Sequence, residues 1–98
     1  MRLRFTKRAE CEFDRIQEYY ERKTGTSRRI IKEFDDAFNH LKSWPRSGHH
    51  RPGLLDERYR FWRVGAYLIV YSIEDPWLVV ATVLHASRNV TKDLEWLR

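Results

Sequence analysis

Between Tyr59 and Asn89 the chain reads YRFWRVGAYLIVYSIEDPWLVVATVLHASRN, three runs of β-branched and aromatic residues broken by two short turn signals. Such a stretch is confined to an antiparallel meander. Gly65-Ala66 places glycine first in a two-residue turn, the arrangement type II′ hairpins prefer. In that register Arg60, Trp62 and Val64 share a face with Tyr67, Ile69 and Tyr71. Tyr59, Phe61 and Arg63 share the other with Leu68 and Val70. Glu74-Asp75-Pro76 turns the chain into a last strand, Trp77 to Leu84. That strand runs straight into the polar cluster His85, Ser87, Arg88 and Asn89. A strand end is a rigid platform, and groups at its exit are held well enough to act on a partner.

The first half has a different period. Arg2, Leu3, Arg4 and Phe5 alternate basic and apolar, predicting a short strand with one buried face. Thr6 is placed to cap a helix whose apolar residues Ala9, Phe13, Ile16 and Tyr20 are spaced four, three and four. Glu18 stands four before Arg22 on the charged face, and Gly25 offers a left-handed stop. Thr26 or Ser27 can cap a second helix with the stripe Ile30, Phe34, Ala37, Leu41 and Trp44, widened by Ile31 and Phe38. Pro45 ends it and pushes Trp44 out of helical geometry. So short a connection permits only antiparallel packing of the two helices.

Residues 45–58, PRSGHHRPGLLDER, have no period and form a long, basic connector. Loops of that length are often functional, although a solvated link from helix to sheet is an equal reading. Thr91 can cap a short final helix with Leu94 and Leu97 inward. The expected fold is α+β within one domain, residues 1–98: an N-terminal strand, a two-helix antiparallel hairpin, a three-stranded antiparallel meander and a short C-terminal helix. A helical hairpin covers one face of such a sheet. The second face leaves an apolar patch unless the terminal helix or a partner covers it.

Composition narrows the chemistry. At 98 residues the chain buries only about 60–65% of its unfolded surface, yet a hydrophobic share of 42% supports a core and excludes disorder. No apolar run approaches the roughly 18 residues of a membrane helix, and no signal-like apolar core follows Arg2 and Arg4, so a cytoplasmic location is expected. Cys11 stands alone among Glu10, Glu12 and Asp14, which disfavour a thiolate. His40, His49, His50 and His85 lack metal-ligand spacing, and neither metal nor cofactor is expected. The net charge of +5 points to an acidic partner.

PRSGHHR after the second helix, then YRFWRVGAYLIVY, then VLHASRN, in that order and spacing, resemble the RelE/ParE toxin superfamily of bacterial type II toxin–antitoxin modules. The likeness is closer to its ParE branch, often called plasmid-stabilisation proteins. It implies a toxin neutralised by a cognate antitoxin in a hetero-oligomer, with operator DNA bound only through the antitoxin. The antitoxin tail would wrap the helices and sheet, and Tyr19, Ile31 and Phe38 are the residues expected beneath it. RelE-like members cut messenger RNA on the ribosome, whereas ParE-like members poison DNA gyrase.

RNA cleavage by 2′-hydroxyl attack requires a base, an acid and cations on the phosphorane. His85, Arg88, Arg63 and Tyr67 would be that catalytic set, with Arg60 assisting. Yet the lysines that RelE-like members carry into the meander are missing, since no lysine lies between Lys42 and Lys92. The tyrosine they carry near the C-terminus is missing too, leaving Trp96 as the aromatic there. The sequence therefore favours gyrase inhibition, with Arg88 foremost among target-binding residues and His85, Arg60 and Arg63 behind it. His85 has a plainer role open to it, fixing the turn that follows. A basic nucleic-acid-binding module is a further alternative, disfavoured because both long helices spend one face on the core.

Overall fold

The computed structural model describes every residue except Arg88. Strand β1 (Arg2–Phe5) leads into helix α1 (Lys7–Thr24) and helix α2 (Arg28–Ser43), and a short 3-10 turn follows at Pro45–Ser47. The meander is β2 (Tyr59–Val64), β3 (Tyr67–Glu74) and β4 (Trp77–His85), and the chain ends in the short helix α3 (Val90–Asp93) and a 3-10 turn at Glu95–Leu97.

The hairpin register is the one the Gly65-Ala66 turn dictates: Val64 faces Tyr67, Trp62 faces Ile69 and Phe61 faces Val70, with Gly65 at φ 55°. The sheet order is β1-β4-β3-β2, with β1 parallel to β4, so that the first strand and the last lie side by side. Leu3 pairs with Leu78 and Phe5 with Val80, which turns both β1 apolar groups to the helices and leaves Arg2 and Arg4 exposed.

Between β3 and β4 the register slips. Val70 opposes Thr82 while Tyr71 opposes Val80, so Ala81 is an extra residue in β4. Strand side chains alternate with period two, and one inserted residue reverses which face they take. Leu78 and Val80 face the helices before the bulge, Val83 faces them after it, and Leu84 joins the opposite core.

The helices start and stop where their caps dictate. Thr6 Oγ1 accepts from Ala9 N at 3.1 Å, and Gly25 closes α1 at φ 81°. Thr26 Oγ1 accepts from Arg28 N, whereas Ser27 donates to Glu21 and makes no side-chain cap. The final helix is capped by Asn89, whose Oδ1 accepts from Lys92 N at 3.2 Å; Thr91, expected in that role, already lies inside the helix. Trp44 is 66% exposed with φ −130° and ψ 69°, because Pro45 draws it off the α2 stripe.

Phe34, Phe38 and Leu41 of α2 and Ala9 and Ile16 of α1 pack on Tyr67, Ile69, Tyr71, Leu78 and Val80. Phe5, Phe13, Phe34 and Phe38 form an aromatic cluster with ring centroids 5.0 to 6.3 Å apart. The second face has a core of its own. Leu55 from the connector and Leu94 from the end of the chain close over Phe61, Leu68, Val70 and Leu84. The apolar face that the meander alone would expose is thus covered from within, and Leu94 is fully buried. Among the described residues no helix is long and apolar enough to cross a membrane, and no group of His, Cys, Asp or Glu could hold a metal ion.

Candidate functional site

Strand β1 stops at Phe5, opposite Val80, so the Ala81–His85 end of β4 has no strand on that side. Helix α1 runs over this open edge. Glu12 Oε1 takes the N–H of Val83 at 3.1 Å and the hydroxyl of Thr82 at 2.6 Å. An exposed strand edge is a template for pairing, and a carboxylate placed here closes it.

Beyond Glu12 the helix and strand part to leave a groove of about 450 Å³ lined by Glu12, Arg15, Ile16, Tyr19, Tyr20, Tyr67, Val83 and His85. Glu12, Ile16, Tyr19 and Tyr20 come together because residues three and four apart share a helix face. Tyr67 meets Tyr20 at a centroid distance of 6.5 Å and His85 at 5.3 Å, and Tyr19 stands edge-on to Tyr20 at 5.3 Å. Tyr19 is 46% exposed and forms the rim. His85 reaches this groove because of the Ala81 bulge; without it, the ring would face the other core.

His85 is held from behind. Its Nδ1 accepts the backbone N–H of Ser87 at 3.2 Å and lies 2.6 Å from the Ser87 hydroxyl. An Nδ1 that accepts an amide proton carries none itself, so in the neutral ring the proton sits on Nε2.

The residues singled out from sequence part company. Arg60 lies opposite Tyr71, four residues along β3 from Tyr67, and its Nη1 donates to the carbonyls of Arg46 at 3.1 Å and Gly48 at 2.8 Å. It holds the connector to the sheet. Arg63 lies opposite Leu68, on the face turned away from His85, and its Nε donates to Gly65 O at 2.6 Å. Arg88 lies outside the described residues. Of the four residues proposed for catalysis, His85 and Tyr67 share the groove and Arg63 does not. Of the antitoxin-binding set, Tyr19 is exposed and Ile31 half-buried, whereas Phe38 is 4% exposed inside the aromatic cluster and unavailable to a partner in this fold. Its place on the α2 stripe was the signal for core.

Sequence reasoning passed over Glu12, Arg15 and Tyr20. Only the packing of α1 across the β4 edge brings them to His85. It also passed over a latch in the connector, where Tyr71 donates to Pro45 O at 2.6 Å and accepts from Gly48 N at 2.9 Å. Burial pushes the Tyr71 phenol above its ordinary pKa, partly offset by the Gly48 amide and the Arg60 charge. Next to it, desolvation lowers the His49 pKa, with Arg51 and His50 adding to the effect. Arg51 Nε donates to His49 Nε2 at 3.0 Å.

A helical hairpin packed on one face of a four-stranded sheet, with an open groove between α1 and the end of β4, defines a small α+β protein. The family model described as ParE toxin of type II toxin-antitoxin system, parDE, matches residues 3–90, and the chain belongs to that family. Among solved structures it is similar to a chain titled "Chromosomal ParDE TA system from P. aeruginosa", with a TM-score of 0.64 and 16% identity over 89% of this chain and 97% of that one. That likeness is one of fold. No curated protein matches the sequence. Family membership makes this a toxin of a type II toxin–antitoxin system, with an antitoxin as its partner.

Proposed function

We propose that this toxin acts in the cytoplasm by poisoning DNA gyrase, without cutting RNA, and that its antitoxin silences it by occupying the α1/β4 groove. The observation that carries the reading is the state of His85. Its Nδ1 is engaged by the Ser87 backbone N–H, which leaves the proton of the neutral ring on Nε2. Glu12, the carboxylate of the groove, is spent on Val83 and Thr82. His85 and Glu12 both serve the fold, which suits a surface that binds better than one that transfers protons. Family membership supports the gyrase target.

The same groove supports a mechanism of neutralisation. Tyr19 and His85 line one cavity, so an antitoxin segment seated on the exposed Tyr19 ring also covers His85. Target and antitoxin then compete for one surface.

The test is to induce the toxin alone and follow the DNA-damage response beside the rate of translation. Purified toxin is then incubated with gyrase and plasmid, and in parallel with translating ribosomes. The expected result is cleaved plasmid trapped with gyrase and intact messenger. Ribosome-dependent cleavage that disappears in His85→Asn would replace this reading with the endonuclease one.

A further inference from the structure

Strand β1 forms one edge of the sheet, and its outward face carries two arginines that the groove does not use. Arg2 lies opposite Trp77 and Arg4 opposite Val79. Both guanidinium groups gather on the Trp77 ring, with the Arg4 carbon 3.9 Å and the Arg2 carbon 5.8 Å from its centroid. Arg8, at the start of α1, lies over Trp96 in the same way at 4.5 Å. The ion pairs of the described residues are Arg8–Glu12, Arg29–Glu33, Lys32–Asp36 and Asp56–Arg58, so neither Arg2 nor Arg4 has a carboxylate partner. On this face the carboxylate across from Trp77 is Glu74, which lies on the far side of the indole from Arg2 and accepts from Ser72 Oγ at 2.7 Å.

We propose that the Arg2–Arg4 edge, propped on Trp77, is a docking surface for the phosphate backbone of duplex DNA. The inference goes beyond the gyrase reading and does not depend on it. Three features favour phosphate. Arg2 and Arg4 are rooted about 6.6–6.8 Å apart on one face of the strand and converge on one ring, so they present a concentrated pair of cations to an anionic backbone. A guanidinium stacked on an indole keeps its in-plane N–H donors free for the bidentate contact that phosphate accepts. Stacking also removes side-chain freedom before binding, which lowers the entropy lost on contact.

The edge itself adds donors. Arg2 N and Thr6 N bond back to β4, at Pro76 O and Val80 O, so the alternating N–H groups of Leu3 and Phe5 point outward. An acidic peptide is the weaker fit. An acidic strand pairing along this edge would compete for the same two arginines, but the excess charge of +5 suits the denser charge of a polyanion.

The experiment measures binding of the antitoxin-free full chain to a short fluorescein-labelled duplex of arbitrary sequence, between about 50 and 200 mM salt. Arg2→Gln/Arg4→Gln is compared with Arg28→Gln/Arg29→Gln, which removes the same charge from α2. The expected result is binding that weakens with salt, a loss of roughly tenfold at low salt in the β1 pair, and a salt slope smaller by about 2. The α2 pair should stay within a factor of about two. Equal losses in both pairs, or no duplex binding by the wild type, would overturn the proposal, as would loss of antitoxin binding alone. A second measurement needs no variant. In wild-type protein, phenylglyoxal modification read by mass spectrometry should be blocked by duplex at Arg2 and Arg4 and not at Arg28 and Arg29; the reverse pattern also overturns it.

Discussion

The Tyr71 hydroxyl and the backbone of Gly48 are locked together, the phenol oxygen accepting the Gly48 N–H at 2.9 Å while donating to Pro45 O. There is no room for a side chain between them. A Cβ built on Gly48 would lie 2.7 Å from the Tyr71 ring at Cε1. This contact pins the connector to the middle of the sheet, and Arg60 reinforces it from the next strand.

Gly48→Ala is therefore expected to destabilise the fold by about 1–3 kcal/mol through overpacking against a fully buried ring. Tyr71→Phe should cost about 1–3 kcal/mol by orphaning the Gly48 amide and the Pro45 carbonyl. Urea unfolding of both variants checks this. Substitutions neutral within about 0.5 kcal/mol would show that the latch is not formed in solution.

His49 gives a pH dependence with a definite sign. Its folded-state pKa lies below the ordinary 6.5, so the unfolded chain binds the proton more tightly. Its contribution leaves stability intact above the unfolded pKa and lowers it as pH falls through and below 6.5. Protonation also removes the acceptor that Arg51 uses. Wild type should lose more thermal stability than His49→Gln between about pH 7.5 and pH 5.5. Parallel losses in the two proteins would assign the pH effect to other groups.

Glu12 can be tested as the plug of the β4 edge. Glu12→Ala leaves the Val83 N–H and the Thr82 hydroxyl, which is 1% exposed, without their acceptor, at a cost of about 1–3 kcal/mol. Glu12→Gln keeps an acceptor oxygen in the same place and should recover most of it. Thermal unfolding of the pair separates the hydrogen bonds from the charge, since equal losses would place the effect on the charge.

His85→Asn retains an acceptor for Ser87 and a donor for the groove. Growth inhibition on induction should persist in this variant. A general acid or base would be lost with the imidazole, reducing activity by roughly 10²–10⁴. Counting survivors after induction distinguishes the outcomes.

Much of this architecture is written locally. Thr6 and Gly25 set the ends of α1, Gly65 sets the β2–β3 register, and the Phe34–Leu41 stripe turns α2 to the core. Each depends on backbone geometry or a period that neighbouring residues carry, so a linear reading captures it. The pairing of β1 with β4 is different, since those strands are more than seventy residues apart in the chain and only packing joins them.

What the sequence by itself determined is the set of elements, their order, the faces of the first hairpin and the family likeness. Only the tertiary structure decided which polar groups meet. The Ala81 bulge reverses the facing of everything after it, which turns His85 towards α1 and into contact with Tyr67. Nothing in WLVVATVLH announces an inserted residue, because a bulge is settled by the fit of β4 against β3 and α1 together. The same is true of Arg60 and Phe38. Their residue types suit a binding surface, but the one holds Gly48 and the other fills the aromatic core, since partners within the fold reach them first.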